Sequence, residues 1–325
     1  MTTEMPGVDP TQQVPPVGER PMERSRPAVP QLPAPALIPI AAVVWWVVGF
    51  LPWILDGLGG SILGRIGVSR TAVPLFAGNV SALVIGGGLG GVAAGLVVLL
   101  GRDGRARSAL AMAAGVAIAL VVTVVQSRGV LSGAADGRFD SDPRVLNGLT
   151  TGLVAMTVLG LALGLLALTG SVGLGVALAA VAGAAPVWTS SVLDQVGLFG
   201  PGSYDQAATL ARWVGAAFLV AALVAIGLRP ALRLVGWPVA IVLAWIVGPS
   251  VTAAAYIEPL LRPGMGLPDM LGDHVSASLD VWRMAASFEA RPLTPWVVAI
   301  IAAAGIAFAR SQMAKDGRTT DALPT

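Results

Sequence analysis

Residues 145–193 read VLNGLTTGLVAMTVLGLALGLLALTGSVGLGVALAAVAGAAPVWTSSVL, a run of 49 positions between Arg144 and Asp194 with no charged side chain. A helix rises 1.5 Å per residue and bilayer hydrocarbon is about 30 Å thick, so about 20 apolar residues cross it. The run is too long for one span and long enough for two. Thr169-Gly170-Ser171 divides it into 146–168 and 173–193, a helical hairpin with glycine at the reversal. Further uncharged runs occupy 36–55, 74–101, 108–127, 213–228, 234–257 and 292–309. The expected fold is an all-α integral membrane protein, a polytopic bundle of eight transmembrane helices.

Composition agrees. Hydrophobic residues make up 55% and charged residues 12%, about half the charged share of a soluble domain. Cysteine is absent, which excludes disulfides, thiolate metal sites and thiol nucleophiles. A single histidine, His274, excludes multi-histidine metal and bis-histidine haem sites. The one lysine, Lys315, lies beyond the last span, so an intramembrane Schiff base is excluded. No cofactor is expected. Twenty basic against 18 acidic side chains, with no basic stripe, give no sign of a nucleic-acid partner.

Residues 1–35 hold nine prolines among polar residues and are expected to be a disordered tail, unable to bury enough apolar surface to offset ordering. The domain plan is then a tail at 1–35, a transmembrane domain at 36–310 and a second tail at 311–325. Pro74, Pro143, Pro230 and Pro295 suit first helical positions, and Ser203-x-x-Gln206 reads as a capping box that opens span six and places Arg212 about two turns inside it. Arg102, Arg105 and Arg107 crowd the link between spans two and three, Arg229 and Arg233 that between six and seven, and Arg310 follows span eight. The positive-inside rule makes that side, with both termini, cytoplasmic. The opposite side carries eleven acids against nine arginines. Near-absence of lysine beside abundant Ala, Gly, Val and Arg fits high-GC coding and hence a bacterial plasma membrane.

Two features suggest internal duplication into parallel four-helix repeats, 36–169 and 173–310. Both halves share a helix and loop plan, and Leu55-Asp56-Gly57-Leu58-Gly59 resembles Leu193-Asp194 followed by Gly197-Leu198 and Gly200. Coincidence in a chain rich in Gly, Ala, Leu and Val is the competing reading.

Gly86, Gly88 and Gly91 formally complete G-x-G-x-x-G, but inside a spanning helix the dinucleotide reading lacks its strand. Gly87, Gly91 and Gly95 lie four apart and form a face for close helix packing. Polar groups within the spans are the better functional pointers. Asn79, Asp194, Arg212 and Glu258 all fall toward the outer half and are the candidate ligand-binding residues. Arg212 either snorkels outward or faces the bundle, neutralising Asp194 or Glu258 or binding an anionic group. Gly248-Pro249 either kinks span seven or frees carbonyls for a site. Asp56 and Asp194 sit at equivalent span ends and are the candidate general bases of a lipid-linked transferase. In the loop 257–294, Leu271, Val275, Leu279, Trp282 and Ala286 recur at helical spacing, which predicts an amphipathic helix lying in the outer interface with Trp282 as anchor. Asp273, His274 and Asp280, and separately Asp136, Asp140 and Asp142, lack the spacing of a metal site, so no metal is expected.

Three function classes follow. The first is a permease or a lipid- or small-anion-handling protein with an outward-facing polar cavity. The second is a non-catalytic scaffold that binds another membrane protein through its glycine faces. The third is an extracytoplasmic lipid-linked transferase. The first has the most support, from the one-sided distribution of polar residues. The lipid bilayer is the one certain partner.

Overall fold

The computed structural model describes residues 31–62, 73–76, 78–133, 143–199, 203–261 and 271–320. The tail expected to be disordered lies outside these residues up to position 30, as do Asp136, Asp140, Asp142 and the last five positions. The helices are α1 (Ala34–Ile62), α2 (Val80–Leu96), α3 (Arg105–Gly133), α4 (Pro143–Leu165), α5 (Ser171–Val196), α6 (Tyr204–Ile226), α7 (Gly236–Ile257), α8 (Leu271–Ala285) and α9 (Thr294–Thr320). All except α8 are long and apolar enough to cross a membrane, so the chain is an all-α polytopic bundle of eight spans. Its exterior is apolar: Leu110, Val121 and Val125 on α3, Val239 and Val242 on α7, and Ile301 and Phe308 on α9 are all exposed. Such a girdle is tolerable only against lipid.

The hairpin in the long uncharged run forms where the sequence places it. A 3-10 turn, Leu166–Thr169, tightens the end of α4, and Gly170 at φ 113° reverses the chain into α5. An L side chain rarely adopts that backbone conformation, so glycine is required here. Four details of the span starts differ from the sequence reading. Span two starts at Val80 instead of Pro74, because residues 73–76 form tight turns, with the Leu75 N–H donating to the Val73 carbonyl and the Phe76 N–H to that of Pro74. Val73, Pro74 and Leu75 are buried, and the Ser127 hydroxyl also donates to the Val73 carbonyl at 2.8 Å. Pro230 precedes a 3-10 turn, Ala231–Val235, so α7 proper begins at Gly236. Ser203 is the N-cap of α6, but its side chain makes no capping bond and the expected box does not form. Span one starts two residues before position 36. Its entry is pinned by Asp103, whose carboxylate accepts the Ala34 N–H at 2.6 Å, and by Leu32, which exchanges backbone bonds with Leu100 and Arg102.

Each half has its own apolar core, one centred on Trp45, Phe50, Leu83 and Leu153 and the other on Leu219, Leu223, Ala240 and Ala303. In the first half α1 packs on α2 and α3, and α2 packs on α4. In the second, α5 packs on α6 and α7, and α6 packs on α9. The halves meet mainly through α5, which contacts α1, α2 and α4, and through α2 against α7. α2 is the most buried span, and glycine makes that burial sterically feasible. A Cβ on Gly91 would lie 2.6 Å from the Thr157 carbonyl oxygen, and one on Gly95 would lie 2.8 Å from the Gly164 Cα. Gly87 faces Leu153 and Thr157. The face of Gly87, Gly91 and Gly95 is thus spent inside the chain, on α4.

The loop helix α8 exists, but it does not lie flat. The Ser278 hydroxyl donates to the Ala253 carbonyl at 3.1 Å, the Trp282 indole to the Ser250 hydroxyl at 3.2 Å, and the Trp245 indole to the Ala286 carbonyl at 3.0 Å. Contacts that advance along α8 while receding along α7 mean two antiparallel helices in side-by-side contact. From Ile257 to Trp245 is roughly 18 Å at 1.5 Å per residue, so the chain re-enters the bundle. The face turned to α7 carries Ser278 and Trp282, whereas Val275 and Leu279 are exposed. The physical reason is polar: α7 presents Ser250 and the Trp245 indole N–H, which α8 and the residues after it satisfy. Trp282 is anchored to α7 instead of to lipid headgroups.

Overpacking costs about 1–3 kcal/mol where backbone cannot move. Gly91→Leu should therefore lower the thermal midpoint of the detergent-solubilised chain by several degrees, while Gly152→Ala, with open space around it, should leave it unchanged. Equal midpoints for the two would contradict the α2–α4 packing.

Candidate functional site

Apart from Pro39 in the second turn of α1, prolines lie deep inside three of the spanning helices: Pro52 in α1, Pro186 in α5 and Pro249 in α7. Proline has no N–H, so the carbonyl four residues earlier loses its helical donor. In hydrocarbon an unsatisfied carbonyl costs several kcal/mol. The groups freed by these three deeper prolines are those of Val48, Ala182 and Trp245.

Two of them have recruited distant donors. The Trp188 indole on α5 donates to the Val48 carbonyl at 2.9 Å, next to the bend at Phe50, whose φ of −115° and ψ of 19° leave the helical range. The Arg291 guanidinium, in the link between α8 and α9, donates through Nη1 to the Trp245 carbonyl at 2.9 Å. The same guanidinium stands 5.2 Å from the Trp245 ring centroid, a cation–π geometry, and packs against Gly248. Trp245 in turn meets Trp296 edge-on at 5.0 Å and Phe288 at 5.4 Å. The course of α8 back along α7 delivers this arginine to the break.

Beside the break lies a cavity of about 330 Å³, walled by Ala182, Gly183 and Pro186 of α5, Arg212, Gly215 and Leu219 of α6, Gly248 and Thr252 of α7, Arg291, and Pro295 and Trp296 of α9. The third freed carbonyl, that of Ala182, faces Gly215 at this wall, where a Cβ would come within 3.0 Å of it. The lining holds two arginines and no carboxylate. Arg212 is exposed and, among the described residues, has no ion-pair partner. Two guanidiniums in a partly enclosed, low-dielectric space create a positive potential that favours an anion.

The four sequence candidates are not brought together. Arg212 lines the cavity. Asn79 is the N-cap residue of α2 without a side-chain capping bond, and Glu258 reaches the same helix end, accepting the Ser81 N–H at 2.5 Å. That carboxylate satisfies an orphan donor and complements the helix dipole, so it is committed to α2 and does not neutralise Arg212. Asp194 is exposed in the last turn of α5, where its backbone carbonyl accepts the Gly197 N–H. Asp56 is half-buried toward the C-terminal end of α1. Neither Asp56 nor Asp194 lines the arginine cavity. Asp280 pairs with Arg283 at 2.8 Å on the exposed side of α8, and no metal-binding group of three occurs among the described residues.

Sequence reasoning missed Arg291. Gly248-Pro249 announced a freed carbonyl, but its donor is 46 residues away along the chain and becomes a neighbour only through the fold of α8. Compared with known protein families, curated proteins and solved structures, the chain matches none.

A hydrogen bond to a stranded carbonyl is worth about 1–3 kcal/mol. Trp188→Phe should destabilise the chain by about that much, and adding Pro52→Ala, which restores an N–H for Val48, should recover most of the loss in a double-mutant cycle of thermal stability. Strictly additive effects would contradict the pairing.

Proposed function

We propose that the chain is a permease or lipid-handling protein that admits a small anion, or the anionic head group of a lipid, to the cavity between Arg212 and Arg291. The observation that carries this reading is the pair of guanidiniums in one cavity whose lining has no acid. Membrane proteins rarely place two cations near one another without a purpose, because each must be solvated or paired. In this proposal the arginine-rich end, with Arg102, Arg105, Arg107, Arg229, Arg233 and Arg310, is cytoplasmic by the positive-inside rule, the membrane is a bacterial plasma membrane, and the cavity opens outward. The shared packing order of α1–α4 and of α5, α6, α7 and α9 supports reading 36–169 and 173–310 as parallel repeats, with the cavity in the second.

The scaffold reading draws less support, because the face of Gly87, Gly91 and Gly95 is already occupied by α4. The transferase reading draws less still, since Asp56 and Asp194 stand outside the cavity.

The test is binding by the full chain in phosphatidylcholine nanodiscs, read by calorimetry with inorganic phosphate and by native mass spectrometry after adding phosphatidylglycerol. Loss of one charge-assisted contact corresponds to roughly tenfold or more in affinity. Arg212→Gln should weaken binding of at least one of these anions by that factor with an unchanged melting temperature. Equal binding by wild type and variant, or none by wild type, would overturn the proposal.

A further inference from the structure

We infer that Arg291 is a two-position arginine: it holds the Trp245 carbonyl as seen here and turns to an oxyanion that enters the cavity, so that ligand binding unlatches α7 at Pro249. This inference rests on the anion-cavity reading and concerns how that cavity is coupled to the fold.

Pro249 leaves the Trp245 carbonyl without a helical donor, and Arg291 Nη1 supplies one at 2.9 Å. The same guanidinium lines the cavity with Arg212. A carbonyl is a neutral acceptor, whereas an oxyanion is a charged one, and charge-assisted hydrogen bonds are about twice as strong. An arriving oxyanion therefore competes for the guanidinium on favourable terms. Gly248 lets the latch seat closely: a Cβ there would collide with the Arg291 guanidinium, the flexible end of that side chain, which would have to shift from the break. When Arg291 leaves, the Trp245 carbonyl and the Trp245 ring lose their cation together, and α7 is held at Pro249 by fewer bonds. Helices bend where the hydrogen-bond ladder is already interrupted. α8 and the link that carries Arg291 are tied to α7 on both sides of the proline, through Ala253, Ser250 and Trp245, so bending α7 there displaces the cavity wall. A latch that must be released lowers apparent affinity in proportion to the fraction of molecules that are unlatched. Removing the need for the latch should thus tighten binding.

The chain has no cysteine, so two introduced cysteines carry spin labels without background. Tyr204→Cys at the start of α6 and Tyr256→Cys beyond Pro249 are both exposed in the parent. In full-length chain in nanodiscs, the 204–256 distance should change when inorganic phosphate or phosphatidylglycerol is added. Pro249→Ala gives the Trp245 carbonyl an N–H of its own, and should abolish that change while tightening anion binding roughly tenfold. Gly248→Ala keeps the proline but unseats Arg291, and should show the ligand-bound distance with no ligand present. Unaltered affinity in Pro249→Ala together with an unmoved distance in wild type would overturn the latch while leaving the cavity reading intact. Absence of anion binding in wild type overturns both, and is recognised because Pro249→Ala then binds nothing either.

Discussion

A backbone carbonyl stranded in hydrocarbon has no water to turn to, and this single constraint organises the molecule. Interior prolines create such groups, and at two of them, Pro52 and Pro249, the bundle brings a distant donor. The Trp188 indole crosses from α5 to the break in α1 and so ties the two halves together. Arg291 reaches the break in α7 only because α8 runs back along that helix. The prolines are thus joints at which one part of the chain must hold another. The glycine face of α2 plays the complementary part, letting α4 approach so closely that α2 becomes the buried centre of the first half.

The membrane class, the eight spans and the reversal at Gly170 were legible in the sequence because they depend on length, hydropathy and local backbone freedom. The common face of Gly87, Gly91 and Gly95 was legible for the same reason: spacing on a helix is a local property. What spacing did not reveal was the partner, which is α4 of the same chain. The tilt of α8 was misread because amphipathicity reports that a helix has two faces and does not say which neighbour the polar one meets. Here Ser278 and Trp282 meet α7, leaving Val275 and Leu279 exposed. Glu258 was read as a counter-ion and is instead the cap of α2, 177 positions away in the chain. Arg291 escaped notice altogether, since its significance lies in a carbonyl four residues before a distant proline.

These contacts separate structural from functional polarity. Glu258, Asp103 and Trp188 each satisfy one orphan backbone group. Arg212 has no such duty among the described residues, and Arg291 has one that an anion can take over. Their meeting in a cavity free of acids is the basis for reading this protein as a handler of anionic ligands, and the re-entrant course of α8 is what makes that meeting happen.

The depth of α8 therefore tests the account most directly. Single spin labels at Val275, Leu279, Met284 and Phe288, all exposed, report membrane depth through their relative accessibility to oxygen and to a water-soluble nickel chelate. The account predicts that oxygen accessibility rises steadily from 275 to 288 as the chain descends beside α7. A flat profile, with all four labels at one depth in the interface, would contradict it and return Arg291 to the surface.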